Sequence, residues 1–238
     1  MKKFGLIGKS LKHSFSKDFF NQKFKELNLK NYFYENYEIT NINKIRDLIK
    51  TNSLSGLNVT IPYKQEIFNH LDKVDNIARK IGSVNTIKIE NNKLIGYNTD
   101  IIGFERSIDP LIKERKRALI LGNGGSSKTV QYVLNKKRIE YTVISRSGSK
   151  NYHNINKEDI LNHIIIINTT PLGMFPNIES YPDIPYQYIN KKHLIFDLIY
   201  NPEETHFIKK AKNKGCEIKN GLEMLKIQAN ESWKIWKN

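Results

Sequence analysis

The chain has 238 residues, room for one large domain or two small ones, and 39 % of them are hydrophobic, an ordinary core supply. Lys and Arg number 39 against 24 Asp and Glu, a formal net charge of +15. The basic residues are scattered and form no arginine-rich block, which argues against nucleic-acid binding and for a positive field that gathers small anions. No apolar run approaches the roughly 20 residues needed to span a bilayer, and Cys216, the only cysteine, allows no internal disulfide, as suits a reducing, cytoplasmic setting.

The first hundred residues alternate strand-like and helix-like segments. Two lysines precede the apolar stretch 4–7, which is shorter than a secretory h-region and reads as part of a first strand over 3–8. Phe15, Phe19, Phe20, Phe24 and Leu27 repeat at helical spacing over 15–27. A strand is expected at 32–39, a helix at 42–49 and a short strand at 56–61. Pro62 suits the first turn of a helix, expected to run to about Leu71. Residues 84–90 and 93–97 read as a hairpin with Asn91-Asn92 as its turn.

A helix over 101–114 leads into a second α/β series. Its expected strands are 117–121, 141–145, 163–168, 193–198 and 216–218, and its helices are 126–135, 203–212 and 222–236. The strand at 163–168 is almost wholly apolar, as in a parallel sheet covered on both faces. The alternation predicts parallel sheets flanked by helices.

Residues 118–130 read strand, glycine turn (Gly122, Gly124, Gly125), helix. Such glycines let the backbone approach a pyrophosphate, and the helix N-terminus offers unpaired N–H groups. The alternative is a tight turn with no ligand. The next strand ends about 20 residues on, where an NAD site would place an acidic residue. Here stand Ser145, Arg146, Ser147 and Lys150, which suit a 2′-phosphate and hence NADP. A solvated basic loop is the bland alternative.

Three polar segments stand near strand ends. Ser14 and Ser16 alternate before a helix, fitting either an anion site or N-capping. In Asn58-Val-Thr60-Ile-Pro62-Tyr-Lys64, Thr60 is a candidate cap. Lys64 then falls in the first helical turn, where the dipole disfavours a cation and favours proton release. Asn85 in Gly82-Ser-Val-Asn85-Thr86 and Asp100 in Asn98-Thr99-Asp100 complete the set. Asp100 is a candidate cap or a partner for Lys64. The six histidines and one cysteine form no metal-ligand spacing.

Together with Asn168-Thr-Thr-Pro171-Leu-Gly173-Met174, Asp197-x-x-Tyr200-x-Pro202 and Gly221-x-x-Met224-Leu-x-x-Gln228, these segments resemble the shikimate dehydrogenase family nearly end to end. The resemblance implies two domains with a cleft between them. One is an α/β substrate domain (1–101 with 221–238) and the other a Rossmann-like NADP-binding domain (102–220). It implies reversible NADPH-dependent reduction of 3-dehydroshikimate to shikimate, on the route to chorismate and aromatic amino acids, by a monomer or homodimer. It implies Lys64 and Asp100 as the catalytic pair. Ser14 and Ser16 would hold the substrate carboxylate, with Asn58, Thr60, Asn85, Tyr200 and Gln228 around the ring. Gly122, Asn123, Gly124, Gly125, Ser126, Ser145, Arg146, Ser147, Lys150, Thr169, Met174, Leu198 and Gly221 would face the cofactor, Met174 and Leu198 near the nicotinamide.

Some positions depart from the family pattern. Ser145 and Ser147 stand where Asn and Thr are usual, and Ser126, Ser127 and Thr129 where alanines are frequent. The chain is also short for the family. A quinate or mixed quinate/shikimate dehydrogenase is the nearest alternative, disfavoured by Ser16. A non-catalytic or nucleic-acid-binding protein retaining the fold is another, disfavoured by the presence of both Lys64 and Asp100.

Overall fold

The structure is a computed structural model and describes residues 1–12 and 14–238. The chain forms two compact units, 1–99 with 229–238 and 100–228.

The first unit is built on β1 (Lys2–Gly8), α1 (Phe15–Glu26), β2 (Tyr32–Glu38), α2 (Ile45–Asn52), β3 (Leu54–Val59), β4 (Lys73–Val74), α3 (Asn76–Ile81), β5 (Thr86–Glu90) and β6 (Lys93–Tyr97). Its six strands lie in the order β2-β1-β3-β5-β6-β4. β1 pairs parallel with β2 and β3, while β5 runs antiparallel to β3 and β6. The sheet is therefore mixed, and the reason is the hairpin. Asn91 and Asn92 both take positive φ (50° and 59°), the requirement of a tight two-residue turn.

The second unit contains α4 (Asp100–Ile112), β7 (Arg117–Leu121), α5 (Gly125–Lys136), β8 (Glu140–Ile144), α6 (Lys157–Asn162), β9 (Ile165–Asn168), β10 (Leu194–Asp197), α7 (His206–Lys212) and β11 (Glu217–Lys219). Its sheet is wholly parallel in the order β11-β10-β9-β7-β8. From β7 the chain crosses to β8 on one side, then returns to β9 on the other. The gap between the ends of β7 and β9 is thus the topological switch point, where open α/β sheets bind ligands. The last helix, α8 (Leu222–Lys237), runs through the division at Gln228/Ala229.

Strand alternation sets the cores. In β1, Phe4 and Leu6 face a cluster with Phe20, Phe24, Tyr34, Trp233 and Trp236, while Ile7 faces Leu57, Val59, Ile67 and Ile87. Trp236 stacks on Phe4 with ring centroids 4.8 Å apart and donates its indole N–H to the Ile87 carbonyl at 2.9 Å, which anchors the end of α8. In the second unit every residue of β9 is buried, as expected for an inner parallel strand.

The helix expected from Pro62 is not formed. Residues 61–65 make turns, and a short 3-10 helix covers Glu66–His70. Proline pushes the residue before it away from helical backbone, and the following bonds are Tyr63 N–H to the Thr60 carbonyl and Ile67 N–H to the Tyr63 carbonyl. Neither the capping role of Thr60 nor the dipole argument for Lys64 survives. Helices α3 and α6 were not anticipated. Each has six residues, too few to show a period, and is set by its caps, Asp75 for one and the Asn156/Asp159 capping box for the other.

Candidate functional site

In the first unit Ser14 caps α1. Its hydroxyl oxygen accepts the Ser16 N–H at 3.2 Å, which leaves the Ser14 hydrogen to donate outward. Ser16 is buried beside the Tyr34 phenol, which burial pushes well up and the Ser16 hydroxyl only partly offsets.

Asn58 and Asn85 lie in one buried polar cluster. The Tyr34 hydroxyl donates to Asn58 Oδ1 at 2.8 Å. Asn58 Nδ2 donates to Ser232 Oγ at 3.0 Å, and to the Asn85 carbonyl and Thr86 Oγ1 at 3.2 Å. Asn85 Oδ1 accepts the Thr99 N–H at 2.7 Å, and its Nδ2 donates to Thr99 Oγ1 at 2.9 Å. Thr60 is half-buried just past β3, its N–H donated to the Ile7 carbonyl at 2.9 Å. Lys64 is half-buried, and its carbonyl accepts the Val84 N–H at 2.8 Å, which ties the turn bearing the lysine to the segment bearing Asn85.

In the second unit Asp100 opens α4 and is 5 % exposed. Gly103, one turn later, admits α8, since a Cβ there would lie 2.7 Å from the Met224 carbonyl oxygen and 3.1 Å from Gln228 Cβ. This close packing sets Gln228 beside the turn that follows Asp100. Gln228 is buried and donates to the Leu225 carbonyl at 3.0 Å.

The glycine turn sits at the switch point. Gly122 has φ +107°, a left-handed backbone that favours glycine, and a Cβ would meet Thr169 Oγ1 at 2.8 Å. Thr169 donates its hydroxyl to the Leu121 carbonyl at 2.7 Å, which closes the floor of the turn. Gly124 caps α5 with no side-chain bond, and a Cβ on it would have nothing within 4 Å. Asn123 is exposed and Ser126 half-buried at the same turn. The result is an open helix N-terminus with unpaired N–H groups, which fits a pyrophosphate. The departures from alanine are accommodated inside the helix: Ser127 accepts from Gln131 at 3.0 Å, and Thr129 donates to the Gly125 carbonyl at 3.3 Å.

Past β8, Ser145 is buried while Arg146 and Ser147 are exposed. Among the described residues no carboxylate pairs with Arg146. Lys150, by contrast, pairs with Asp159 at 2.8 Å, so its charge is already met. Met174 is 37 % exposed in the loop after β9. Leu198 and Tyr200 are half-buried beyond β10. Gly221 is required by a close approach: a Cβ would fall 2.0 Å from the Leu198 carbonyl oxygen. Among the described residues no group of three or more His, Cys, Asp or Glu is placed to hold a metal ion, and no helix is long and apolar enough to cross a membrane.

Sequence reasoning passed over Tyr34 and Ser232, which lie far from the motifs in the chain. It also passed over Asp197 as more than a motif residue. Asp197 is fully buried, accepts from Thr205 at 2.6 Å, Asn168 at 3.0 Å and the Ile199 N–H at 3.1 Å, and burial pushes its carboxyl up to about 6.

A shikimate dehydrogenase of Methanococcus aeolicus, described as NADP(+)-dependent, is 43 % identical over 254 residues, covering 98 % of this chain and 90 % of that one. The chain belongs to the shikimate dehydrogenase family. The model of the shikimate dehydrogenase substrate binding domain matches residues 6–87. The crystal structure of shikimate dehydrogenase 1 from Peptoclostridium difficile superposes with a TM-score of 0.89 at 37 % identity, covering 100 % of this chain and 92 % of that one. The shikimate 5-dehydrogenase of Thermus thermophilus, solved with NADP(H) and shikimate, gives 0.87 at 28 % identity, covering 99 % and 93 %.

Proposed function

We propose that this protein oxidises shikimate reversibly to 3-dehydroshikimate with NADP+, working physiologically in the reductive direction towards chorismate and the aromatic amino acids. The observation that carries the reading is the first unit's buried polar cluster: Asn58 bonds the Asn85 carbonyl, both amides bond the Thr86 hydroxyl, and Lys64 is tied to the same segment through Val84. The family relationship over 98 % of the chain supports it.

The unit 1–99 with 229–238 is the substrate side of this reading, and 100–228 the cofactor side. Ser14, with Ser16, donates to the substrate carboxylate at the N-terminus of α1, where the dipole also favours an anion. Asn58, Thr60, Asn85, Tyr200 and Gln228 orient the ring hydroxyls. Lys64 hydrogen-bonds the reacting hydroxyl and takes up its proton, assisted by the carboxylate of Asp100; in reverse the pair returns the proton to the developing alkoxide. Gly122, Gly124 and Gly125 would hold the NADP pyrophosphate, with Asn123, Ser126 and Thr169 beside them. Ser145, Arg146 and Ser147 would take the 2′-phosphate, and Met174, Leu198 and Gly221 would flank the nicotinamide. When bound, the nicotinamide supplies the hydride acceptor.

A monomer or homodimer and a cytoplasmic setting belong to the same reading, the latter resting on the single cysteine. The test is to follow NADPH absorbance in purified protein with shikimate and then with quinate. Turnover with shikimate and little with quinate is expected. Equal rates would shift the reading to a mixed enzyme, and none with either would end it.

A further inference from the structure

We propose that Tyr34 and Ser232 are positioning residues that fix the side-chain amides of Asn58 and Asn85 for the substrate, an inference that rests on the function proposed above.

The cluster draws on five places in the first unit: Tyr34 in β2, Asn58 in β3, Thr86 in β5, Thr99 after β6 and Ser232 in α8. All are deeply buried, with Tyr34, Thr86 and Ser232 at 0 %, Thr99 at 2 % and Asn58 at 5 % exposure. A core of this size has no need of so many polar groups, because apolar side chains of equal volume pack there at less cost. What a hydrogen-bonded cluster adds is a defined orientation.

That orientation can be read from the donors. An amide presents an acceptor at one end and donors at the other, and the two ends are nearly equal in shape. Tyr34 has one hydroxyl hydrogen and gives it to Asn58 Oδ1 at 2.8 Å. The Asn85 main-chain carbonyl can only accept, so Asn58 Nδ2 points to it at 3.2 Å, with Ser232 and Thr86 alongside, and Tyr34 holds the Oδ1 end in place. Burial pushes the phenol well up, so Tyr34 stays a neutral donor across the working range. The ring of Tyr34 needs no hydroxyl to pack, since it stacks on Phe20 with centroids 4.5 Å apart and an interplanar angle of 14°.

Ser232 is the shared node on the other side. Its Oγ lies 3.0 Å from Asn58 Nδ2, 2.8 Å from Thr86 Oγ1 and 3.1 Å from Thr99 Oγ1. Thr99 in turn holds both ends of the Asn85 amide. One hydroxyl on the last helix therefore connects the two amides, through Thr86 and Thr99.

The experiment is steady-state kinetics of wild type, Tyr34→Phe, Ser232→Ala and the double variant on the full chain, well below each Tm. Each single variant is expected to raise KM for shikimate about tenfold, with KM for NADP+ unchanged, as for loss of one hydrogen bond acting on the substrate side. The double variant should raise it by less than the product of the single effects, since both act on Asn58. A KM for shikimate like wild type in both single variants, even with a lowered Tm, overturns the proposal, because a structural role alone moves only Tm. Effects that simply multiply also overturn it. If Tyr34→Phe does not fold, Ser232→Ala decides by the same KM comparison. A wild-type enzyme without shikimate turnover would instead overturn the functional reading, and this inference with it.

Discussion

The Val84 N–H donates to the Lys64 carbonyl at 2.8 Å, so the turn that carries the lysine is held in register with Asn85 by a main-chain bond. A side-chain substitution at Lys64 leaves this bond intact. Lys64→Ala is therefore expected to fold and to lose about 10²–10⁴ in kcat, the contribution of a positioned acid or base. Asp100→Asn should also depress kcat, and the double variant should lose less than the product. Shikimate oxidation by the three variants, with thermal melts beside it, checks this; a Lys64→Ala enzyme keeping most of its kcat removes the lysine from the mechanism.

Arg146 and Lys150 should separate. Arg146 is exposed with no carboxylate partner among the described residues, whereas Lys150 is paired with Asp159. Arg146→Ala should raise KM for NADP+ and leave that for NAD+ nearly unchanged, while Lys150→Ala should alter either far less. Kinetics with both cofactors decide. Equal loss for NADP+ and NAD+ in Arg146→Ala would mean that another group reads the 2′-phosphate.

Ser14 is both a helix cap and a candidate carboxylate ligand. Ser14→Ala should cost about 1 kcal/mol of stability as a lost cap. It should also raise KM for shikimate about tenfold or more, as a donor lost to a charged group. Urea unfolding and kinetics on the same preparation distinguish the two roles. Lower stability with unaltered KM would leave Ser14 as a cap only.

Asp197 gives stability a pH dependence of known sign. Its carboxyl is held up at about 6 by burial, against an ordinary value of 3.8. Between roughly pH 4 and 6 the native state keeps this proton and the unfolded state has lost it, so the contribution to stability falls as pH rises and levels off above about 6. The displacement corresponds to about 3 kcal/mol. The stability of wild type relative to Asp197→Asn, from urea unfolding at pH 4, 5, 6 and 7, should decline by that order across the window. A constant difference would sink the assignment.

Gly221→Ala would place a methyl group 2.0 Å from the Leu198 carbonyl oxygen, a backbone clash that no rotamer relieves. A loss of about 1–3 kcal/mol or more is expected on urea unfolding, with a raised KM for the cofactor if Leu198 flanks the nicotinamide. Unchanged stability would show that the segment yields easily.

The sequence by itself determined the strand and helix alternation, the Asn91-Asn92 hairpin, the glycine turn between β7 and α5, and the family, because each is written in contiguous residues whose spacing or backbone preference acts locally. Only the tertiary structure decided the rest. The turn at 61–65 replaced the helix expected after Pro62, since the Thr60 N–H bonds the Ile7 carbonyl of β1 and the Lys64 carbonyl accepts the Val84 N–H, partners far away in the chain. Lys150 proved to be paired because α6, whose six residues carry no readable period, brings Asp159 to it. Tyr34 and Ser232 stand 24 and 174 residues from Asn58 in sequence, and no local pattern marks them. They meet because β2, β3 and α8 bury their faces together, and a polar group buried there must find its hydrogen-bond partner wherever the fold supplies one.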